Sequence, residues 1–510
     1  MAPAAASPAA GEVTPPAFTD EEATLAGLRD SMVAGALTSR ALTESYLARI
    51  EAIDHRLRSF LEVNPDALEL ADAMDEERSA GNDRGPLHGI PVLVKDNIDT
   101  ADRMRTTAGS LALGEVTPAR DAFVVERIRE AGAVVLGKAN LSEWANFRSE
   151  RSTSGWSARG GQCRNPFAPD RSPCGSSSGS SVAVSANMCA VAIGTETDGS
   201  IVCPSSINGI VGIKPTLGLV SRSGVIPVAH SQDTAGPMAR TVADAAALLS
   251  VLAGVDERDT ATSDAPVGPD YTTFVDPDGL RGARIGAARN LAGFNDRVDR
   301  LFEEALEAMR ALGADIIDPA DVPHKDELDE PEYEVLLYEF KADIEAYLAT
   351  LGPSQAYRSL GDLIAFNRDH AEEEMPFFEQ EIFEKAVEKG PLTEPAYLEA
   401  LATCRRLARD EGLDEAFAKH RLDAIVAPSN QPAWLIDHAN GDHYVGGDSS
   451  PAAIAGYPNL TVPMGFAFEV PIGISFVGKP WAEGPLIRMA SAFEHASKHR
   501  RRPPAIPSKT

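Results

Sequence analysis

From Gly89 onward the chain alternates short apolar runs with stretches of helical periodicity, and this alternation constrains its fold more than any other feature. Residues 90–94 (Ile-Pro-Val-Leu-Val), 133–136 and 190–193 are each bounded by turn residues and are too short for helices, so they read as buried strands. A helical pattern over 122–131 separates the first two. Further strand candidates lie at 283–287, 424–426, 460–462 and 472–477, with helices such as 301–312 between them. Strands that alternate with helices imply an α/β fold. We expect one large domain with a central mixed, twisted β-sheet covered by helices on both faces.

The ends and one internal region differ. Residues 1–18, rich in Ala and Pro, read as a flexible tail, and the domain is expected over 19–505. Its first helix should start at Thr19-Asp-Glu-Glu22, a cap followed by acids. Apolar spacing through Leu25, Leu28 and Met32, then Leu42, Tyr46, Leu47 and Ile50, places two or three helices before any strand. Residues 331–416 are rich in Glu, Leu, Tyr and Phe with no convincing strand. They read as a helical excursion beside the sheet, either covering a site or serving as a structural layer. Without internal repeats or long linkers, one domain is favoured over two.

Charge narrows the partners. Lys and Arg number 47 against 76 Asp and Glu, and a net charge of -29 repels phosphate backbones and anionic lipid. No nucleic acid or membrane partner is expected, and a monomer or homodimer suffices. The basic run 498–502 follows Glu494 and reads as a solvated helix end. The five cysteines, Cys163, Cys174, Cys189, Cys203 and Cys404, are odd in number and show no zinc-ligand spacing, which favours reduced thiols. The N-terminus lacks the basic and apolar regions of a secretory signal, and no window is apolar enough to cross a bilayer, so a cytoplasmic location is expected.

Residues 174–204 are the least ordinary part of the chain: Cys-Gly-Ser-Ser-Ser-Gly-Ser-Ser, a helix-like apolar stretch, then Gly-Thr-Glu-Thr-Asp-Gly-Ser-Ile-Val-Cys-Pro. Glycines permit tight turns and close approach, and serines supply hydroxyls. A phosphate-cradling loop is disfavoured because Gly179 precedes Ser180 where a Walker motif has lysine. A nucleophile elbow centred on Ser177 fits Gly-x-Ser-x-Gly literally. It should follow a strand, however, whereas 163–173 reads as a loop, and no histidine is singled out as its base.

A third reading joins two serines to a lysine, and here the sequence resembles the amidase signature family. The resemblance rests on 89–98 (Gly-Ile-Pro-Val-Leu-Val-Lys-Asp-Asn-Ile), 175–180, 194–204, 209–216, 233–240 and 455–463. Motifs in order over nearly the whole chain are more specific than any one of them. The resemblance implies a catalytic triad of Lys95, Ser176 held by a cis peptide bond, and Ser200 as nucleophile, with an oxyanion hole from the backbone N–H groups of Thr197, Asp198, Gly199 and Ser200. It implies neither a metal nor an organic cofactor. Within the family the text is most similar to peptide amidases, which share the Thr-Glu-Thr-Asp-Gly-Ser run and text like 142–147 and 338–341. Most other members have glycine where Asp198 stands.

The chemistry suits these residue types. Amide hydrolysis needs a strong nucleophile, a proton shuttle and donors for the tetrahedral oxyanion. A lysine at its ordinary pKa of about 10.4 is no base at neutral pH, but burial among strand residues such as Val92 and Val94 lowers it. The implied substrate is a small-molecule or peptide amide, above all a C-terminal peptide amide or amino acid amide released as acid and ammonia. Aryl acylamidase activity, or an amidotransferase A-type subunit that works only in a complex, are the alternatives. His230 reads as a structural hydrogen bonder, Asp437, His438, Asp442 and His443 as surface loop, and Cys174 as a packed thiol.

Overall fold

The computed structural model describes residues 21–266, 268–352 and 356–504. The expected tail at 1–18, Thr19, Asp20 and the boundary at 505 lie outside them. The first described helix is Leu25–Val33, capped by Thr24, whose hydroxyl accepts from Gly27 N–H. Glu21 and Glu22 form a turn ahead of it, so the acidic sequence does not open the helix. The next helix, Ser39–Leu57, buries Leu42, Tyr46 and Ile50, as their spacing requires.

The strands among the described residues are β1 (Phe60–Val63), β2 (Pro91–Lys95), β3 (Val134–Ala139), β4 (Trp156–Ser157), β5 (Gly161–Gln162), β6 (Val191–Glu196) and β7 (Val211–Lys214). They continue with β8 (Thr234–Ala239), β9 (Arg284–Ala287), β10 (Asp315–Ile317), β11 (Ala424–Pro428), β12 (Asn459–Ala467) and β13 (Val470–Val477). β4 and β5 pair with each other, and the rest form one mixed sheet in the order β1-β3-β2-β6-β8-β7-β12-β13-β11-β9-β10. β2 runs parallel to both β3 and β6, β9 runs parallel to β10 and β11, and the other neighbours are antiparallel.

Every residue of β2, β3, β6, β7 and β8 is buried, which requires cover on both faces of the sheet. Val92, Leu93 and Val94 lose all solvent contact. Each such side chain contributes about 1.5–3 kcal/mol relative to exposure.

The region expected as a helical excursion holds the helices Asp329–Thr350, Leu360–Asp369, Ala371–Glu374, Glu381–Val387, Pro395–Arg405 and Asp414–His420, and no strand among the described residues. It docks through aromatic rings: Phe340 lies 5.3 Å from Phe147 and 5.1 Å from Phe383, and Trp144 lies 5.7 Å from Phe383. Its long helix also grips the loop that precedes β8. Gln232 Nε2 donates to Glu332 (2.7 Å), Ser231 N–H to Glu339 (2.9 Å) and His230 N–H to Asp343 (2.9 Å).

Candidate active site

Lys95 ends β2. Because β2 and β6 run parallel with Val94 opposite Ile193, the Lys95 side chain meets the end of β6 at Thr195. The carboxyl edge of parallel strands is where open α/β sheets place their ligands. Lys95 is 0% exposed. Its Nζ lies 2.7 Å from Ser176 Oγ and 2.8 Å from Thr195 Oγ1, with Thr195 O at 3.3 Å. Burial pulls the amine down to about 7, against the opposing pull of Asp233 and Glu196.

Ser176 stands in a loop whose Gly175–Ser176 peptide is cis. A Cβ at residue 175 would sit 2.0 Å from Ser142 Oγ, so the close approach of these segments needs glycine there. Ser142 N–H donates to the Ser176 carbonyl, tying the loop to the 142–147 turn. The other serines are fully occupied. Ser177 donates to Thr195 O and accepts from Thr195 N–H. Ser178 donates to Cys174 O and Ser180 to Ile193 O. Ser177, the elbow candidate, thus stitches its loop to β6 and follows no strand.

Ser200 follows β6 and is 7% exposed. Its carbonyl accepts from Ser177 N–H at 3.2 Å, which sets the two serine loops side by side. Gly199 takes a φ of 74°, the left-handed conformation that suits glycine. Among the described residues, the N–H groups of Thr197, Asp198, Gly199 and Ser200 donate to no protein acceptor. The turn is closed from beneath by Glu196, whose Oε2 accepts from Ile201 N–H (2.7 Å) and Val202 N–H (3.0 Å). Burial raises the Glu196 carboxyl, opposed by Lys214 and these two amides. Asp198 accepts from Ser450 Oγ at 2.6 Å.

The expectation of reduced thiols is corrected at this point. Cys174 and Cys203 form a disulfide, with Cα atoms 6.2 Å apart. The chain passes through the helix Ser178–Ser185 and back along β6, so residues separated by 29 positions return to one place. Cys163, Cys189 and Cys404 are free and buried. Cys174 is therefore no packed thiol; the bond joins the loop before Ser176 to the helix after Ser200.

The remaining candidates lie apart. His230 sits between two acids, Nδ1 at 2.9 Å from Asp343 and Nε2 at 3.4 Å from Glu339, a position that raises its pKa chiefly through the Asp343 hydrogen bond. These three are close enough to share a metal ion, but both ring nitrogens already face carboxylates, as in an imidazolium between two anions. Asp437 caps its own turn at Ala439 and Asn440, His438 bonds Gln162, and Asp442 accepts from Ser154 N–H. Thr195, Glu196 and Asp233 hold the site together, yet sequence reasoning assigned them nothing. The signals were an acid four residues before Ser200 at the end of an apolar strand and the place of all three residues inside the 194–204 and 233–240 motifs.

A mixed sheet of this order, with a buried lysine against a serine loop at the ends of β2 and β6, defines an amidohydrolase of the amidase signature type. The chain belongs to that family: residues 41–487 match Amidase. It is similar to the peptide amidase of Stenotrophomonas maltophilia, at 52% identity and a TM-score of 0.92 over 96% of this chain and 99% of that one. The peptide amidase complex with the competitive inhibitor chymostatin aligns over 95% of this chain and 100% of that one, with a TM-score of 0.93 at 52% identity. Among curated relatives, a probable amidase of Arabidopsis thaliana is 42% identical over 96% of this chain and 93% of its own length. The A-subunit of the glutamyl-tRNA(Gln) amidotransferase from Carboxydothermus hydrogenoformans is 36% identical over 89% of this chain and 93% of its own.

Proposed function

We propose that the protein hydrolyses carboxamides, foremost the C-terminal amide of peptides and amino acid amides, to the free acid and ammonia through an acyl-enzyme on Ser200. The observation that carries this reading is the fully buried Lys95 amine 2.7 Å from Ser176 Oγ. The likeness to peptide amidases supports the substrate class.

In this reading Ser176 gives its proton to neutral Lys95 and takes the proton of Ser200. The Ser200 oxygen then bonds to the amide carbon, and the carbonyl electrons move to an oxyanion held by the N–H groups of 197–200. One such donor is worth roughly 3–4 kcal/mol in acyl transfer. As the oxyanion collapses, the C–N bond breaks and the nitrogen leaves with the proton returned from Lys95 through Ser176. Water, deprotonated by the same relay, attacks the acyl-enzyme and restores Ser200.

The test pairs ammonia release from a peptide amide with fluorophosphonate labelling of the wild type, Ser200→Ala and Ser177→Ala. We expect Ser200→Ala to lose both activities and Ser177→Ala to lose neither by mechanism. Labelling that survives in Ser200→Ala and vanishes in Ser177→Ala would contradict the assignment. The 36% identity to an amidotransferase component favours a second reading, a chain active only in a complex. Turnover by the purified single chain decides against it.

A further inference from the structure

The relay makes a demand that the triad does not meet: each time Lys95 takes a proton, a cation forms in a site closed to water. A buried ammonium needs an anion nearby. Two carboxylates influence Lys95, Asp233 and Glu196. Glu196 is engaged with the amides of Ile201 and Val202 and with the buried Lys214.

Asp233 is held differently. Its Oδ1 accepts from Thr197 Oγ1 at 2.6 Å, and its Oδ2 from Val228 N–H (2.8 Å) and Ala229 N–H (3.0 Å). Among the described residues it makes no ion pair. Arg222 and Asp343 act on it with opposite sign, but Arg222 is tied to Asp259 and Asp343 to His230. Asp233 lines a cavity of about 10 Å³ together with Asn97, Thr195, Thr197, Arg222 and Val228. That space is too small for a substrate, and it borders Thr195, whose Oγ1 accepts from both Lys95 Nζ and Asn97 Nδ2. A carboxylate fixed by three donors and in no ion pair, with Arg222 on the same cavity committed to Asp259, shares that cavity with Thr195, the residue that contacts the amine where a cation must appear.

We propose that Asp233 is a positioning residue of this reaction: its carboxylate is the countercharge that stabilises the Lys95 ammonium formed when Ser176 gives up its proton. The inference rests on the reading of Lys95 as the base. The Ser176 O–H bond breaks, an N–H bond forms on Lys95, and the charge so created is balanced by Asp233 until the proton leaves with the amine product. Asp233 also holds Thr197, so one side chain links the relay to the oxyanion turn. The loop carrying it is clamped by Glu332, Glu339 and Asp343 of the long excursion helix.

The test compares Asp233→Asn and Asp233→Glu with wild type, reading kcat and KM for a peptide amide against pH, with rates normalised to Ser200 sites labelled by a fluorophosphonate. Removing the negative charge makes Lys95 easier to deprotonate and its ammonium harder to form. We expect Asp233→Asn to lose up to about 10-fold in kcat with KM little changed, and its acidic limb to move down by about one pH unit. Asp233→Glu, which keeps the charge, retains the wild-type limb and recovers most of the rate. Should Asn prevent folding, Asp233→Ser carries the same expectation. An unmoved limb in the labelled neutral variant, or equal losses in the Asn and Glu variants, overturns the countercharge while leaving the base assignment standing. Failure of wild-type Ser200 to label overturns the acyl-enzyme reading on which the inference rests.

Discussion

With its amine enclosed by Ser176 and Thr195, Lys95 loses its proton near pH 7 in the folded chain, whereas its ordinary value is 10.5. Between those values the unfolded chain binds a proton that the folded chain does not, so stability rises with pH across that window, by at most about 1.4 kcal/mol per unit. Below it the penalty is constant. Lys95→Met removes this linkage. The unfolding free energy of wild type relative to Lys95→Met, measured in denaturant, should therefore increase from pH 7 to 10. Activity follows from the same group: kcat/KM should fall as pH drops through about 7, and Lys95→Met should cost about 10³-fold or more in kcat. Glu196 offers a structural counterpart. Glu196→Ala strands two buried amides and the Lys214 charge, a loss of about 3–5 kcal/mol that denaturant unfolding should register, together with loss of Ser200 labelling.

At the scale of elements, the Cys174–Cys203 bond fixes the ends of the segment that carries both serines. By the loop-entropy relation, a closed loop of this length contributes about 3–4 kcal/mol. Cys174→Ser combined with Cys203→Ser should lower the denaturant midpoint accordingly, and reductant should do the same to wild type. The strands show what sequence reading reaches. β2, β3, β6, β9, β11, β12 and β13 announce themselves as apolar runs between turn residues. β8 does not, because Pro237 lies in its middle opposite Ile193, and proline normally argues against a central strand. β7 is a four-residue piece with a glycine inside, and the edge strands β1 and β10 lack buried runs altogether. In the candidate site, motifs that occur in order nominate Lys95 and Ser176, which the fold brings into contact, and Ser200. Thr195, Glu196, Asp233 and the disulfide could not, since their roles exist only once the turn after β6 folds back beside the Ser176 loop.

Taken whole, the molecule joins an uninterrupted sheet to a helical excursion whose acids hold the loop carrying Asp233. Its net charge of -29 makes self-repulsion a global term, weakened by added salt. The denaturant midpoint should accordingly rise with monovalent salt at neutral pH, and a flat response would show that local ion pairs already balance the surface. No helix among the described residues is long and apolar enough to cross a membrane. The central claim concerns one buried amine. Its most direct measurement is an NMR titration of protein carrying 13C at the lysine Cε positions, with the Lys95 resonance identified by its absence from Lys95→Met. A resonance that titrates near 7 is the expected result, and one that titrates in the ordinary lysine range near 10.5 contradicts the account.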